Sequence, residues 1–169
     1  VSPGHNSAYY DQETGNYYLL FHARFPRRGE HHEIRVHQFF LNEEGWPVVA
    51  PLRYAGEPEA VNGKRQVAGE YELVDHGKDI SADIKESAAI RLEEDGRVTG
   101  AISGTWTMSE EDGHGRIRLT IGDVEYTGVW LMSWDPLAEQ WSESFTVLSQ
   151  QGVALWGARI ADESDKISD

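Results

Sequence analysis

Short segments that alternate between apolar and polar residues follow one another along most of the chain. Residues 116–121 (RIRLTI) alternate strictly, which predicts a strand that directs Ile117, Leu119 and Ile121 to one face and its two arginines to the other. Residues 124–134 repeat the same period of two. Turn signals rich in Asp and Gly separate these segments at roughly ten-residue spacing. The pattern predicts an all-β chain.

The region from residue 66 to 161 contains seven to nine such strand candidates, by our reading of the pattern. Strands with one polar face and glycine at their centres suit a curved sheet, so we predict a closed antiparallel β-barrel in preference to a sandwich. Residues 83–89 form the single candidate for a helix. The polar residues 162–169 are expected to be a frayed tail.

The first part of the chain, residues 1–51, has a different organisation. It contains four short strand candidates, at residues 7–10, 17–22, 34–41 and 47–50. This is about the size of one four-stranded blade of a β-propeller. A single blade cannot bury both faces, the sequence contains no second copy, and the chain begins with Val rather than Met, so we expect much of the function to lie upstream. Residues 52–65 combine Pro, Gly and Asn without a period, which predicts a linker.

Charge and composition exclude several classes of function. The formal net charge of −14 disfavours binding to nucleic-acid phosphates or to an anionic membrane surface, and suits a neutral or cationic ligand. The absence of Cys excludes disulfides, thiolate metal sites and a Cys nucleophile, but it does not decide the compartment. We find no signal peptide and no apolar run long enough to cross a membrane, so no membrane association is predicted.

Several histidines are candidates for metal binding, and each has a structural alternative. His5 is either a hydrogen-bonded structural residue or a ligand. The sequence EHHE at residues 30–33 suggests zinc, but adjacent ligands on a loop rarely converge on one ion, so a solvated loop is the preferred interpretation. His22 and His37 lie on predicted strands, and we expect both to be packed or hydrogen-bonded.

The tryptophans in residues 66–161 have two possible uses, the core of a β-domain or a surface that stacks on sugar rings. Aromatic residues that alternate along strands belong more often to the core. Trp134, beside Asp135 and Pro136, is the best candidate for an exposed position at the rim. The acidic residues between 75 and 86 lack the spacing of a calcium-binding loop and are predicted to be solvated.

The first fifty or so residues carry a specific series of short sequences: GHNS at residues 4–7, FHARFP at 21–26, IRVHQ at 34–38 and GWPVVAP at 45–51. This series resembles the end of the catalytic domain in two-domain endo-α-1,5-L-arabinanases of glycoside hydrolase family 43. The remainder, which closes with LWGAR at 155–159, resembles the C-terminal, lipocalin-like β-barrel domain that follows the propeller in those enzymes.

The resemblance implies an extracellular enzyme that hydrolyses α-1,5-linked L-arabinan with inversion. Residues 1–51 would be the last blade of a five-bladed propeller, residues 52–65 a linker, and residues 66–161 an accessory barrel. An inverting glycosidase needs a general acid and a general base with room for a water between them. In the family these carboxylates come from earlier blades. No catalytic residue is therefore assigned to this chain, which is expected to be inactive without an upstream propeller partner.

The resemblance also implies a role for His5. The matching His in the family lies near the propeller axis and belongs to a calcium-centred site completed largely by water. Calcium normally selects oxygen ligands, but a neutral imidazole can complete such a shell, and the cation would favour ionised carboxylates nearby. Two alternatives to the enzyme remain open: a non-catalytic barrel that binds a carbohydrate or other small ligand in its mouth, and a purely structural interaction domain.

Overall fold

The chain folds into two antiparallel β-structures, a four-stranded sheet followed by a closed eight-stranded barrel. The computed structural model describes residues 3–25, 29, 31–58, 67–80, 83–111 and 114–160. Within these residues the chain forms strands and connecting turns, and no helix. The strands are β1 Gly4–Tyr10, β2 Tyr17–Ala23, β3 Glu33–Leu41, β4 Pro47–Val49, β5 Gly69–Asp75, β6 Ala88–Leu92, β7 Arg97–Gly100, β8 Gly104–Glu111, β9 His114–Ile121, β10 Val124–Asp135, β11 Gln140–Ser149 and β12 Ala154–Arg159.

The predicted helix over residues 83–89 is wrong. Residues 84–87 have no regular structure, and β6 begins at Ala88. Ala88 pairs with Leu73 and Ala89 pairs with Glu72 in the antiparallel ladder between β5 and β6. The alanines are good helix formers, but strand pairing in the barrel overrides this weak local preference.

The sheet is an antiparallel meander in the order β1-β2-β3-β4, as expected for one propeller blade. Its two faces both carry aromatic side chains. Tyr17 lies between Tyr10 and Phe39 on one face, with ring centroids 4.7 and 5.2 Å away. On the other face Tyr9 stacks on Tyr18 at 6.4 Å. A sheet that is apolar on both faces must be covered on both sides, and Tyr9, Tyr10 and Tyr17 remain exposed.

The barrel closes in the order β10-β11-β12-β5-β6-β7-β8-β9, which confirms the predicted closed antiparallel barrel. Its interior is filled by side chains. Ile117 and Leu119 are 1% and 0% exposed, as the strict alternation of β9 predicts. Trp130 and Tyr71 are also buried, and the Trp130 Nε1–H donates to the Tyr71 hydroxyl over 3.4 Å. The interior of the barrel is therefore a core packed with side chains.

The barrel packs against the outer edge of the sheet. Phe40, Val48 and Ala50 of the sheet form one buried cluster with Val129 and Leu131 of β10. These two barrel residues point away from the barrel interior, because their neighbour Trp130 points into it. The middle of β10 is consequently buried on both of its faces, and the sheet and barrel share an apolar junction.

Polar contacts surround this junction. The buried Thr127 hydroxyl of β10 accepts a hydrogen bond from Asn42 Nδ2 at 3.1 Å and donates to Glu44 Oε2 at 2.6 Å. Arg116 Nη1 donates to the Leu41 carbonyl oxygen at 2.6 Å. Arg118 forms an ion pair with Glu43. The turn between β3 and β4 is thus fixed to the wall of the barrel.

The segment between the sheet and the barrel is irregular where the structure describes it, over residues 51–58. The rest of the predicted linker and the predicted tail at 162–169 lie outside the described residues. In the described part of the chain, no helix is long and apolar enough to cross a membrane.

Candidate functional site

His5 lies in a strained stretch of β1. The register between β1 and β2 shifts between Gly4 and Ser7, which marks a β-bulge, and His5 has a φ of 50°. A positive φ is uncommon for a residue with a side chain, and bulges re-aim side chains next to functional sites. The imidazole of His5 is exposed. The local sequence therefore builds a bulge that presents an accessible His at the edge strand of the sheet.

His22 lies directly behind this bulge. It pairs with Gly4 in the ladder between β1 and β2, and a side chain at position 4 would meet the His22 ring at 3.3 Å. The His22 ring lies 4.9 Å from that of His5 and 4.5 Å from that of His32, measured between centroids. Partial burial, followed by the charges of His32, His5 and Arg24, lowers the pKa of His22. His22 therefore favours the neutral imidazole, as expected for a packed His.

The described residues of this chain do not form a calcium site by themselves. Calcium takes six to eight oxygen ligands, whereas the bulge offers imidazole nitrogens. No group of three or more His, Cys, Asp or Glu side chains that could hold a metal ion is found in the described part of the chain. A calcium site that included His5 would need its other ligands from outside the described residues.

The sequence EHHE does not form a zinc centre within the described residues, where no such group of metal ligands is found. Glu30 lies outside those residues. His31 and His32 are both exposed, and Glu33 forms an ion pair with Arg35 at 2.5 Å. His31 and His32 agree with the predicted solvated loop, whereas Glu33 is already the first residue of β3 and is partly buried.

His37 is buried and hydrogen-bonded, as predicted for a His on a strand. Its Nδ1 lies 2.8 Å from the Ala50 carbonyl oxygen, and burial is the main cause that lowers its pKa. Its ring stacks near Trp156 of β12, with centroids 6.3 Å apart and ring planes inclined by 19°. His76, just after β5, contacts the same indole edge-on at 4.3 Å. Sequence reasoning did not find this stack of two imidazoles and an indole, because its members are far apart in the chain.

The tryptophans of the barrel differ in burial. Trp130 is part of the core, and Trp106 packs against the core and donates from Nε1 to the Glu93 carbonyl oxygen at 2.8 Å. Trp134 lies at the end of β10, as expected for a rim position, but it is half-buried and packs edge-on against Trp141 at 5.8 Å. A polar cleft of about 610 Å³ is lined in part by Trp141, Glu143, Arg91 and Arg159.

Comparison with known proteins identifies the barrel. A family model described as the C-terminal lipocalin-like domain, GH43_C, matches residues 51–157. The chain belongs to this family. The match covers the barrel and the irregular segment that leads into it, and the closed eight-stranded antiparallel architecture agrees with a lipocalin-like description.

Relatives with known names extend the likeness to the sheet. The chain is 48% identical, over 94% of its length, to extracellular endo-α-(1→5)-L-arabinanase 2 of Bacillus subtilis strain 168. It is 46% identical, over 96% of its length, to an extracellular endo-α-(1→5)-L-arabinanase of Thermotoga petrophila. The GH43_C chain spans only 33% and 34% of the length of these two relatives.

Solved structures give the same result. The structure of a glycoside hydrolase of family 43 from Bacillus licheniformis superimposes with a TM-score of 0.87 and 53% identity, covering 96% of this chain and 36% of that one. The endo-1,5-α-L-arabinanase from Thermotoga petrophila gives a TM-score of 0.85 and 47% identity, with 95% and 36% coverage. Because nearly the whole chain superimposes, the sheet and the barrel have similar relative positions in these proteins.

Proposed function

We propose that this chain is the C-terminal part of an extracellular endo-α-1,5-L-arabinanase. Residues 1–51 are the last blade of its catalytic five-bladed propeller, residues 52–65 are the linker, and residues 66–161 are the accessory barrel. The complete enzyme hydrolyses α-1,5-linked L-arabinan or arabino-oligosaccharides with inversion of configuration. Its general acid and general base lie on the upstream part, which is the partner of this chain.

One observation carries this proposal: 48% identity to a named endo-arabinanase runs through both the sheet and the barrel, over 94% of the chain. The sheet supports it independently, because Tyr9, Tyr10 and Tyr17 on its two faces are left exposed by the described residues and need covering layers. The two relatives are about three times as long as the match, which leaves room upstream for the other four blades.

The proposal assigns His5 a supporting role at the propeller axis. We propose that in the complete enzyme its imidazole contributes one ligand to a calcium ion whose other ligands are water and upstream groups. When bound, the ion would favour ionised carboxylates near it. The bulge at Gly4–Ser7 and the positive φ of His5 support this role, because they direct an accessible imidazole outward from the edge strand.

Activity is tested by comparing the isolated chain with the complete protein on linear arabinan. We expect no reducing sugar from the isolated chain and rapid release from the complete protein, with the anomeric configuration of the product inverted. The measurement is reducing-sugar release, with the anomer identified by NMR early in the reaction. Turnover by the rigorously purified chain alone, or no arabinan hydrolysis by the complete protein, would contradict the proposal.

Calcium binding is tested on the complete protein with His5→Ala and, as a matched control, His31→Ala, whose imidazole is exposed on the neighbouring loop. We expect the His5 variant to hold calcium more weakly in equilibrium dialysis and to lose activity at lower chelator concentrations. The His31 variant should behave as the unchanged protein does. Equal calcium retention by all three proteins would refute the role of His5.

A further inference from the structure

An apolar groove lies at the corner between the sheet and the outer wall of the barrel. Its volume is about 520 Å³. The sheet contributes Leu19 and Phe21 of β2 and Gly4, the first residue of β1, and Pro3 just before β1 also lines it. We call this feature the sheet–barrel groove. Because its lining is mainly carbon, water in the groove finds few hydrogen-bonding partners. Binding of an apolar partner that displaces this water is therefore favourable.

The barrel side of the groove is a patch on the outer wall of β11 and β12. Phe145, Val147 and Leu155 point into the barrel, so their neighbours along these strands point outward. The outward residues form two cross-strand pairs. They are Thr146 with Trp156 and Leu148 with Ala154. All four line the groove, and they give the barrel wall a largely apolar surface where a solvated wall would be polar.

The sheet side of the groove is one face of the proposed propeller blade. Leu19 pairs with His37, and Phe21 is on the same side of β2 because it is two residues further on. Leu19 and Phe21 are only partly buried. In a propeller, each face of a blade is covered by a neighbouring blade, so this face requires an occupant that the described residues do not provide.

We infer that an upstream blade of the same polypeptide fills the sheet–barrel groove, and that it contacts the barrel wall at Ala154 and Trp156 as well as the sheet. This inference rests on the proposed function. Under this inference the barrel contacts two blades, the last blade and its upstream neighbour, and not only the outer edge of the sheet.

The geometry favours an upstream blade over other occupants. Pro3, the first described residue, and Gly4, where β1 begins, both line the groove, so the start of β1 lies beside it. The chain accounts for a third of the length of its named relatives. A sugar is a poor fit, because the lining offers few hydrogen-bonding groups to a ligand covered with hydroxyls. A second copy of this chain would leave both copies without the remaining blades.

The absence of Cys provides a direct test. Ala154→Cys introduces a single thiol into the groove at small cost in volume, and Ala89→Cys introduces one on the exposed outer wall of β6 as a matched control. Each variant is prepared as the isolated chain and as the complete protein, and is labelled with a maleimide. Labelling at each position is measured by the mass of the peptide that contains it.

We expect the Ala154→Cys thiol to label about tenfold or more slowly in the complete protein than in the isolated chain, because the upstream blade covers it. The Ala89→Cys thiol should label at similar rates in both. Equal rates for Ala154→Cys, in a complete protein that hydrolyses arabinan, would overturn the inference while leaving the proposed function intact. Protection in the isolated chain that grows with its concentration would indicate a second copy as the occupant, and would also overturn it.

A charge at the same position gives a second readout. Ala154→Lys should leave the unfolding of the isolated chain nearly unchanged, because its ammonium group reaches water through the open groove. In the complete protein the charge would be buried without a partner, so we expect a lower melting temperature than for Ala89→Lys. Equal melting temperatures for the two complete proteins would contradict the inference. A complete protein that fails to hydrolyse arabinan even with Ala89→Lys would instead refute the proposed function.

Discussion

His37 of the sheet and Trp156 of the barrel stack with their ring centroids 6.3 Å apart, across the junction between the two β-structures. His76 contacts the same indole edge-on, with ring centroids 4.3 Å apart. Burial lowers the pKa of both histidines, and the buried His76 Nε2 has no hydrogen-bond partner among the described residues. A charge on the His37 ring would lie in the contact between the sheet and the barrel, and a charge on the His76 ring would lie against the Trp156 indole.

The surroundings of each ring decide how protonation acts. His37 faces the positive charges of Arg35 and Arg53, which also lower its pKa, while its bond to the Ala50 carbonyl opposes them. Around His76, Asp75 raises the pKa and Lys85 lowers it, but burial is the largest cause. The net effect lowers the pKa of both rings, so the folded chain favours their neutral forms.

The first prediction is a loss of stability on mild acidification. A His whose folded pKa is lowered binds a proton more readily in the unfolded chain. Its stabilising effect is therefore present above the unfolded pKa of about 6.5 and is lost as the pH falls below it. We expect the free energy of unfolding of the isolated chain, measured in urea, to be smaller at pH 5 than at pH 8.

The controls separate this stack from other titrating groups. His76→Gln and His37→Gln should each reduce the difference between pH 8 and pH 5, whereas His31→Gln, in the exposed loop, should not. His22 also has a lowered pKa and acts in the same direction, so some pH dependence will remain. Carboxylates whose pKa is lowered in the folded chain lose their stabilising effect mainly below about pH 4, which is outside this pH range. An unchanged pH difference in both variants would refute the role of the stack.

The second prediction concerns the buried hydroxyl at the junction. Thr127 is 2% exposed and links Asn42 to Glu44. Thr127→Val preserves the shape but leaves two polar side chains without this partner, so we expect a loss of about 1–3 kcal/mol in the free energy of unfolding. Thr107→Val, at an exposed position of β8, is the matched control and should change stability by less than about 0.5 kcal/mol.

The Arg118–Glu43 ion pair at the same junction should matter less. Both side chains are about two-fifths exposed, at 42% and 39%, so solvent screens their attraction. We expect Arg118→Ala to cost no more than about 1 kcal/mol in the same urea titration. If Arg118→Ala destabilised the chain more than Thr127→Val, the exposed charges rather than the buried hydroxyl would hold the junction.

The third prediction concerns Trp134, which the sequence favours as an exposed rim residue that could stack on sugar. Its half-buried contact with Trp141 predicts that Trp134→Ala lowers the free energy of unfolding by about 1–3 kcal/mol. Calorimetry with arabino-oligosaccharides should detect no binding to the isolated chain, with or without the substitution. Trp46→Ala, at a position that is 64% exposed, is the control and should leave stability nearly unchanged. Binding that disappears in Trp134→Ala, with stability intact, would favour the carbohydrate-binding alternative.

The alternation of apolar and polar residues was sufficient to predict the strands, because in most of them one face is buried and the other is solvated. Ile117 and Leu119 illustrate this case. The pattern did not reveal that Val129 and Leu131 on the opposite face of β10 would also be buried. Their partners lie about eighty to ninety residues earlier in the chain, and no local period records such a contact.

The candidate site was predictable only in part, for the same reason. The sequence around His5 indicated its importance through resemblance, but not that a bulge would hold it at positive φ. The contact of His76 with Trp156 joins the end of β5 to β12. His76 belongs to no motif, and the LWGAR series that contains Trp156 gives no sign of its partner, so only the closure of the barrel brings the two residues together.

The fourth prediction tests the packing inside the barrel. Gly157 of β12 lies against the ring of Phe145, and a β-carbon added at Gly157 would be only 2.1 Å from that ring. Gly157→Ala should therefore overpack the core and cost about 1–3 kcal/mol or more in urea unfolding. Phe145→Leu alone should also destabilise, by leaving a cavity. In the double variant the smaller Leu makes room for the new methyl group. The double variant should therefore lose less free energy of unfolding than the two single variants lose together. Strictly additive losses would mean that the two sites do not share this contact.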